Sequence, residues 1–370
     1  MMKQKLIALA CALALALGLV GCVSTPAAVG SIGEVEISSG LYLLAQFDAY
    51  QQAAQLAGEE QDAAKVKTYL KQTITVDEET GETAVVSDYV AAKTLEFLEN
   101  YAAVETRFTE LGGELNELQA AQTDSYAQQL MDQYGATYEA NGIGLETLKR
   151  YERSLLKSAL LLDLVYGETG ETPVADSELT AHLDSAMYDL VYFTVPLYNT
   201  STYAFADEEQ SAQMLSLAQD AAKAYNSAAA ASSGAGSQME RFTAEAEQAL
   251  PAIYAVLEGS YDASTGGVQT GLLTEDTLAG SFTTEGAADA IRALDYGEAA
   301  AVQYSDYALM LALRVDPLQI SNLATVRSQV LSDLKGAELD DALAAYGAQL
   351  PHSLDSAAMK KMPAAKIVAG

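Results

Sequence analysis

At 370 residues, half of them apolar, the chain is long enough for about two domains with buried cores. Its 51 acidic against 20 basic residues leave a formal charge of −31, which repels nucleic acid and anionic lipid headgroups, because both need basic side chains to neutralise phosphate. Cys11 and Cys22 are its only cysteines, so the body of the chain holds no disulfide, no thiol nucleophile and no cysteine metal site.

Lys3 and Lys5 precede an apolar run from Leu6 to Val20. A helix needs about 20 apolar residues to span a bilayer, so this run reads as the core of a secretory signal over residues 1–21. The run ends in "LVGC", residues 19–22, which resembles the bacterial lipobox: small residues enter the peptidase, and the thiol carries the lipid. Cys22 is thus the expected site of a diacylglycerol, with 22–28 a lipidated tether and no other cofactor expected. The alternative is an ordinary signal peptide cleaved near Ala27 or Ala28, with Cys22 incidental. No later stretch reaches about 18 apolar residues, so no further membrane span is predicted.

After the tether, Val29–Ile32 and Val35–Ile37 read as short strands around Gly33. Ser38 or Ser39 caps a helix in which Leu41, Leu44 and Phe47 form one apolar face. Residues 73–86 are a loop or small hairpin turning at "ETGE". A long amphipathic helix over 87–112 ends at "LGG". Helices follow over about 114–134 and 144–166, and the second carries "LLKSALLLDLVYG", apolar almost all round and so expected to be buried. "ETGETP" breaks the chain, and "VADSELTAHLDSA" is a short helix capped by Asp176 or Ser177.

"MYDLVYFTVP" alternates as a strand and stops at proline. A polar, alanine-rich helix covers 207–231. "SSGAGS" at 232–237 is a flexible link, and "MERFTAEAEQAL" is another helix. Residues 259–286 are rich in Gly, Ser and Thr without apolar periodicity. "GAADAIRALDYGE" is a helix and turn, and "AAAVQYSDYALMLALRVDPL" is a pair of strands. A final helix spans about 320–346, and "KIVAG" reads as a terminal strand. This order predicts an α+β, mainly α chain: a helical module interrupted by an insert with a small sheet.

Few residues carry chemistry. His182 and His352 have no second ligand nearby in sequence and read as solvated surface histidines, so no metal site is predicted. The acidic stretches 58–62 and 77–82 lack the ligand register of a calcium loop. Gly-rich "GAGS" and "STGG" lack the strand–loop–helix setting of a phosphate site.

Several segments together resemble the SurA/PrsA-type foldases of bacterial envelopes in their lipoprotein form. "VGSIGEVEISSGLYLL", with Gly33, Glu34, Ile37 and Ser38, resembles the hairpin and first helix of that family's chaperone module. "LENYAAVETRFTELG" resembles its second long helix. "PVADSELTAHLDS" resembles its link, with His182 at a usual tyrosine, and "VRSQVLSDLKGAELDDALAAY" its returning C-terminal helix. The resemblance implies a chaperone module from 29–180 and 318–370, with a parvulin-like peptidyl-prolyl isomerase domain at 181–317, a small antiparallel sheet ringed by four helices. "LDYGE" resembles the family's "L-x-x-G-[EQ]" turn, and Gly266, Gly267, Gly271 and Leu272 faintly echo its "GGDLGW" turn.

The family's first isomerase strand carries a histidine where this chain has Tyr192, and "DYALMLALRV" carries none where a second is usual. Prolyl isomerisation faces a barrier of about 20 kcal/mol from amide resonance, lowered by a preorganised pocket that binds the twisted amide best. With both histidines missing, the site is expected to be vestigial, centred on Tyr192. Phe193, Phe282 and Met310 are candidate client-binding residues, with core packing as the alternative for each. The implied function is a membrane-anchored, extracytoplasmic holder of unfolded or partly folded secreted proteins. The alternatives are an active isomerase, and a solute-binding or structural lipoprotein; the last should show βαβ repeats, which are absent.

Overall fold

The computed structural model describes residues 25–228, 234–320 and 323–369. It divides into two compact units, one from Met1–Thr172 with Ala337–Gly370, the other Pro173–Gly336.

In the first unit, β1 (Ala28–Ile32) and β2 (Val35–Ser38) form the expected hairpin. Ser38 caps α1 (Ser39–Gln55) by accepting from the Leu41 N–H, while Ser39 is buried and donates its hydroxyl to Pro26 O. A single turn, α2 (Val66–Tyr69), leads to the hairpin β3 (Thr73–Asp77) and β4 (Glu82–Val85). Asp77 Oδ1 accepts from the backbone of Glu79 and Thr80, so the acidic 77–82 stretch shapes a turn. Then come α3 (Val86–Glu110), α4 (Glu117–Ala140) and α5 (Leu145–Tyr166). A reciprocal capping box between Asn116 and Gln119 starts α4.

Helix α1 has more than the single apolar face its spacing predicts. Leu41, Ala45 and Ile37 pack with Leu98 and Ala102 of α3; Leu44 and Phe47 pack with Ile143 and Leu148; Ala49, Tyr50 and Ala53 pack with Tyr69, Ile74 and Val90. It is the central helix of the unit, and small alanines between its large residues let three neighbours approach. Helix α5, conversely, is not buried all round: Leu161 and Leu162 are, but Leu155 is 46% exposed. Its surplus leucines lie on an outer face.

In the second unit, α6 (Asp176–Ala186) starts after Ala175, so neither Asp176 nor Ser177 is the cap; Asp176 sits in the first turn and pairs with Arg327. The strand β5 (Met187–Pro196) is followed by α7 (Glu208–Ala228) and α8 (Ala235–Ala255). Residues 232 and 233 of the expected "SSGAGS" link lie outside the described residues, and Ala235 onward is already helical. The stretch 259–286, read as irregular, holds β6 (Gln269–Thr274) and α9 (Glu275–Ser281). Gly271 and Leu272 are therefore strand residues, not a turn. Next come α10 (Ala287–Arg292), β7 (Ala299–Ser305), β8 (Ala308–Arg314) and α11 (Pro317–Ile320).

The sheet is antiparallel in the order β6-β5-β8-β7. Strand alternation gives it two cores. Val191, Phe193, Val195, Leu309, Leu311 and Leu313 face α7 and α8, whereas Tyr188, Leu190, Met310 and Ala312 face α9 and α10.

Helix α12 (Leu323–Gln349) crosses from the second unit into the first at 336/337. A Cβ on Gly347 would stand 2.4 Å from Glu99 O, so only glycine lets this helix lie so close to α3. The chain then forms β9 (His352–Leu354), which pairs antiparallel with β1 in the sheet order β2-β1-β9, and α13 (Ser356–Met359). The returning strand is thus "HSL"; "KIVAG" is a 3-10 turn at Ala364–Lys366 and an irregular end. Both ends of the chain build one mainly helical module, and the small antiparallel sheet is inserted in the middle, the expected fold class.

Candidate functional site

The inserted sheet carries the position where an isomerase histidine is expected. Tyr192 sits mid-β5, half-buried, opposite Ala312 of β8 and Gln269 of β6. Its face also holds Leu190, Met310, Phe282 and Tyr304. The Phe282 and Tyr304 rings lie 5.3 Å apart. Burial raises the Tyr304 phenol above its ordinary value, a hydrogen bond with the Thr194 side chain lowers it, and the nearby Tyr192 phenol raises it further.

The polar groups of this face are the Tyr188, Tyr192 and Tyr304 phenols and the Thr194 hydroxyl, with the Glu275 carboxylate and its arginine at the Tyr188 end. Tyr188 Oη donates to Glu275 Oε1 at 2.5 Å, and Arg292 Nε holds Glu275 Oε2 at 2.9 Å. These bonds keep the Glu275 carboxyl below its ordinary range, Tyr188 first and Arg292 second. Arg314 stacks between the Tyr188 and Tyr296 rings and donates to Leu294 O. The nearby cations are thus already engaged in holding the fold.

Phe193 belongs to the opposite face. It has no exposed surface and packs 6.1 Å from the Phe242 ring. Phe282 and Met310 are buried on the Tyr192 face, at 7% and 6% exposure. The three candidate client-binding residues are thus split between two cores. Cys22 lies outside the described residues.

The helical unit holds a separate feature. A groove of 510 Å³ runs between α1, α3 and the segment after β9, lined by Tyr42, Val90, Thr94, Leu95, Met359 and Pro363 among others. Its walls are mostly carbon. Gln46 spans to the Tyr42 hydroxyl at 3.2 Å, Thr94 returns its hydroxyl to Val90 O, and Lys360 stands at the mouth. Ala91 and Leu95 sit one turn apart on the exposed lip.

No protein-family model and no curated protein matches the sequence. The solved structures similar to it include three foldases. The foldase protein PrsA from Streptococcus pneumoniae str. Canada MDR_19A shares 16% identity over 77% of this chain and 97% of its own, with a TM-score of 0.34. The foldase protein PrsA from Lactococcus lactis shares 13% over 90% and 97%, with a TM-score of 0.35. PrsA from Bacillus subtilis shares 14% over 79% and 93%, with a TM-score of 0.28. All three superpositions are loose, so a role for this chain has to come from its own residues.

Both histidines have carboxylate neighbours; His352 is exposed, as expected, whereas the His182 side chain is largely shielded. His182 Nε2 lies 2.6 Å from Asp333 Oδ2, and His352, placed in β9, lies 3.3 Å from Glu99 Oε1. Neither belongs to a cluster of metal-ligating side chains among the described residues. The groove itself escaped the sequence reading. Its lining comes from α1, α3 and the last residues of the chain, and the one available hint was Leu95, an apolar residue off the main face of its helix.

Proposed function

We propose that this protein is an extracytoplasmic folding factor, held to the membrane by lipid on Cys22, that shields unfolded secreted chains in the groove of its helical unit. The observation that carries the reading is the apolar groove itself, built where the first helix, the second long helix and the chain's end meet. A groove of this volume takes several apolar side chains of an unfolded segment, and burying each saves about 25 cal/mol per Å² of apolar surface. The formal charge of −31 keeps laden molecules apart. The sequence resemblance to SurA/PrsA-type lipoproteins and the fold made of both chain ends support the same reading. Among the described residues no helix is long and apolar enough to cross a membrane.

The inserted domain is a binding scaffold without isomerase catalysis. Tyr192 faces Ala312, and the chain's two histidines are tied to Asp333 and Glu99 elsewhere. What remains on that face is phenols held by the Glu275 carboxylate and the Thr194 hydroxyl, which supply no imidazole to tune the pocket.

The test is suppression of aggregation of a denatured model client by the mature protein. Equal concentrations should slow light scattering, and Ala91→Asp with Leu95→Asp, placed on the exposed lip, should remove most of the effect. A wild-type protein without effect overturns the reading. A proline-tetrapeptide assay run beside it should give the uncatalysed rate; parvulin-level activity that Tyr192→Phe abolishes would establish an active isomerase instead. Cys22→Ala should release the protein from membranes, and retention there would remove the lipid anchor.

A further inference from the structure

Beyond β5 the chain makes a loop whose aromatic residues are turned outward. Tyr203, Phe205 and Tyr307 are 73%, 64% and 60% exposed, although each is large enough to have been used in a core. They form one row with Tyr198. Ring centroids are 6.4 Å apart from Tyr203 to Tyr198, 5.8 Å from Tyr198 to Phe205 and 5.7 Å from Phe205 to Tyr307.

The row is held in place. Tyr198 and Phe205 bridge as in an antiparallel ladder, and Ala206 N donates to Leu197 O. Asn199 accepts from the Ser201 and Thr202 backbone through its side chain and donates to Leu257 O. The turn between β7 and β8 is joined to it by Leu197 N to Tyr307 O, 2.7 Å. Tyr203 has φ +58, in the left-handed region that bulky residues avoid. A strained tyrosine, fixed on both sides and pointing to solvent, marks a place where the fold serves a contact beyond its own stability.

The charged residues next to the row in sequence have one sign. Asp207, Glu208 and Glu209 follow Phe205, Asp306 precedes Tyr307, and all four are exposed. No lysine or arginine occurs between Lys157 and Lys223. Elsewhere the protein places its own guanidinium groups on tyrosines: Arg241 lies 4.2 Å from the Tyr225 centroid and Arg314 lies 4.8 Å from that of Tyr188. Rings within about 6 Å of a cation attract it, and neighbouring carboxylates add to the attraction. Alternate side chains of an extended peptide are about 6.6 Å apart, close to the ring spacing.

We propose that the row Tyr203–Tyr198–Phe205–Tyr307 is a docking surface for an extended peptide segment with arginine or lysine at alternate positions, each cation lying on a ring. The surface does not depend on the groove of the helical unit or on holdase activity, and its readout is peptide binding, not aggregation.

The test is fluorescence anisotropy of the full mature chain with a labelled eight-residue peptide of alternating Arg and Ser, and with its Glu–Ser counterpart. The Arg peptide should bind and the Glu peptide should not. The triple variant Tyr203→Ala, Phe205→Ala, Tyr307→Ala leaves the net charge unchanged and should weaken binding at least tenfold. A triple leucine variant, which keeps apolar area but removes the π faces, should lose nearly as much. Tyr126→Ala with Tyr134→Ala, exposed tyrosines of α4, should leave affinity within twofold. Absence of Arg-peptide binding, equal binding of the Glu peptide, a triple-alanine variant within twofold of wild type, or a leucine variant that binds like wild type would each overturn the proposal.

Discussion

His182 Nε2 lies 2.6 Å from Asp333 Oδ2, which ties α6 to the first half of α12 within the second unit. Arg327 reinforces the tie by pairing with Asp176 and donating to Val174 O. Both side chains of the His182 pair are about one-fifth exposed, so the bond is partly shielded from water. His182→Ala should destabilise the protein by about 1–2 kcal/mol, in the range of hydrogen bonds to charged groups. A double-mutant cycle with Asp333→Asn, followed by urea denaturation, checks it; strictly additive effects would sink the claim.

Gly30 governs the union of the chain's two ends. It has φ +122, and a Cβ there would lie 2.1 Å from Ser353 O. Any side chain must push β9 off β1. Gly30→Ala should cost at least about 2 kcal/mol and expose the segment after Leu350 to proteases, since backbone strain and lost strand pairing add together. Wild-type resistance to limited proteolysis in the variant would contradict this.

Asp189 adds a pH dependence. Burial pushes its carboxyl up from 3.8 to about 6. The folded state thus holds a proton that the unfolded state releases between roughly pH 4 and 6, so stability from this group is full below that window and is lost as pH rises through it. Asp189→Asn should be near neutral at about pH 3 and stabilising at about pH 7.5, where it removes a desolvated charge. The difference between variant and wild-type unfolding midpoints, followed across pH, is the measurement; a constant difference refutes it.

Phe242 anchors the core beneath the sheet, with Phe193 at 6.1 Å and Tyr225 edge-on at 5.6 Å. Phe242→Ala should cost about 3–5 kcal/mol, the usual loss for a fully buried ring. Chemical denaturation monitored by tyrosine fluorescence reports it, and a loss below about 1 kcal/mol would mean the core had refilled the space.

Long elements with strong periodicity were legible in the sequence: α1, α3, α5, β5 and the β7–β8 pair all stand where the pattern puts them. Two strands were not. β9 is three residues, "HSL", two of them exposed, and its ladder partner β1 is at the other end of the chain, so no local pattern signals it. β6 is an edge strand, half-exposed along its length, and its Gly and Thr content reads as loop. The Tyr192 face was only half legible. Its strand was recognised, but the inward partner Tyr304 sits at a break in the β7–β8 register and Phe282 follows a helix that no periodicity announced. His182 misled because its carboxylate partner, Asp333, is far away in sequence.

The pairing of β1 with β9 sets an order of assembly. Every strand of the inserted sheet has been made once Arg314 emerges, and 173–336 is then nearly whole. The unit built from the ends still lacks its third strand, which must close across the entire intervening chain at an entropic cost that grows with loop length. A polypeptide delivered N-terminus first therefore finishes its middle before its beginning, and its first strand keeps one open edge until the last residues arrive.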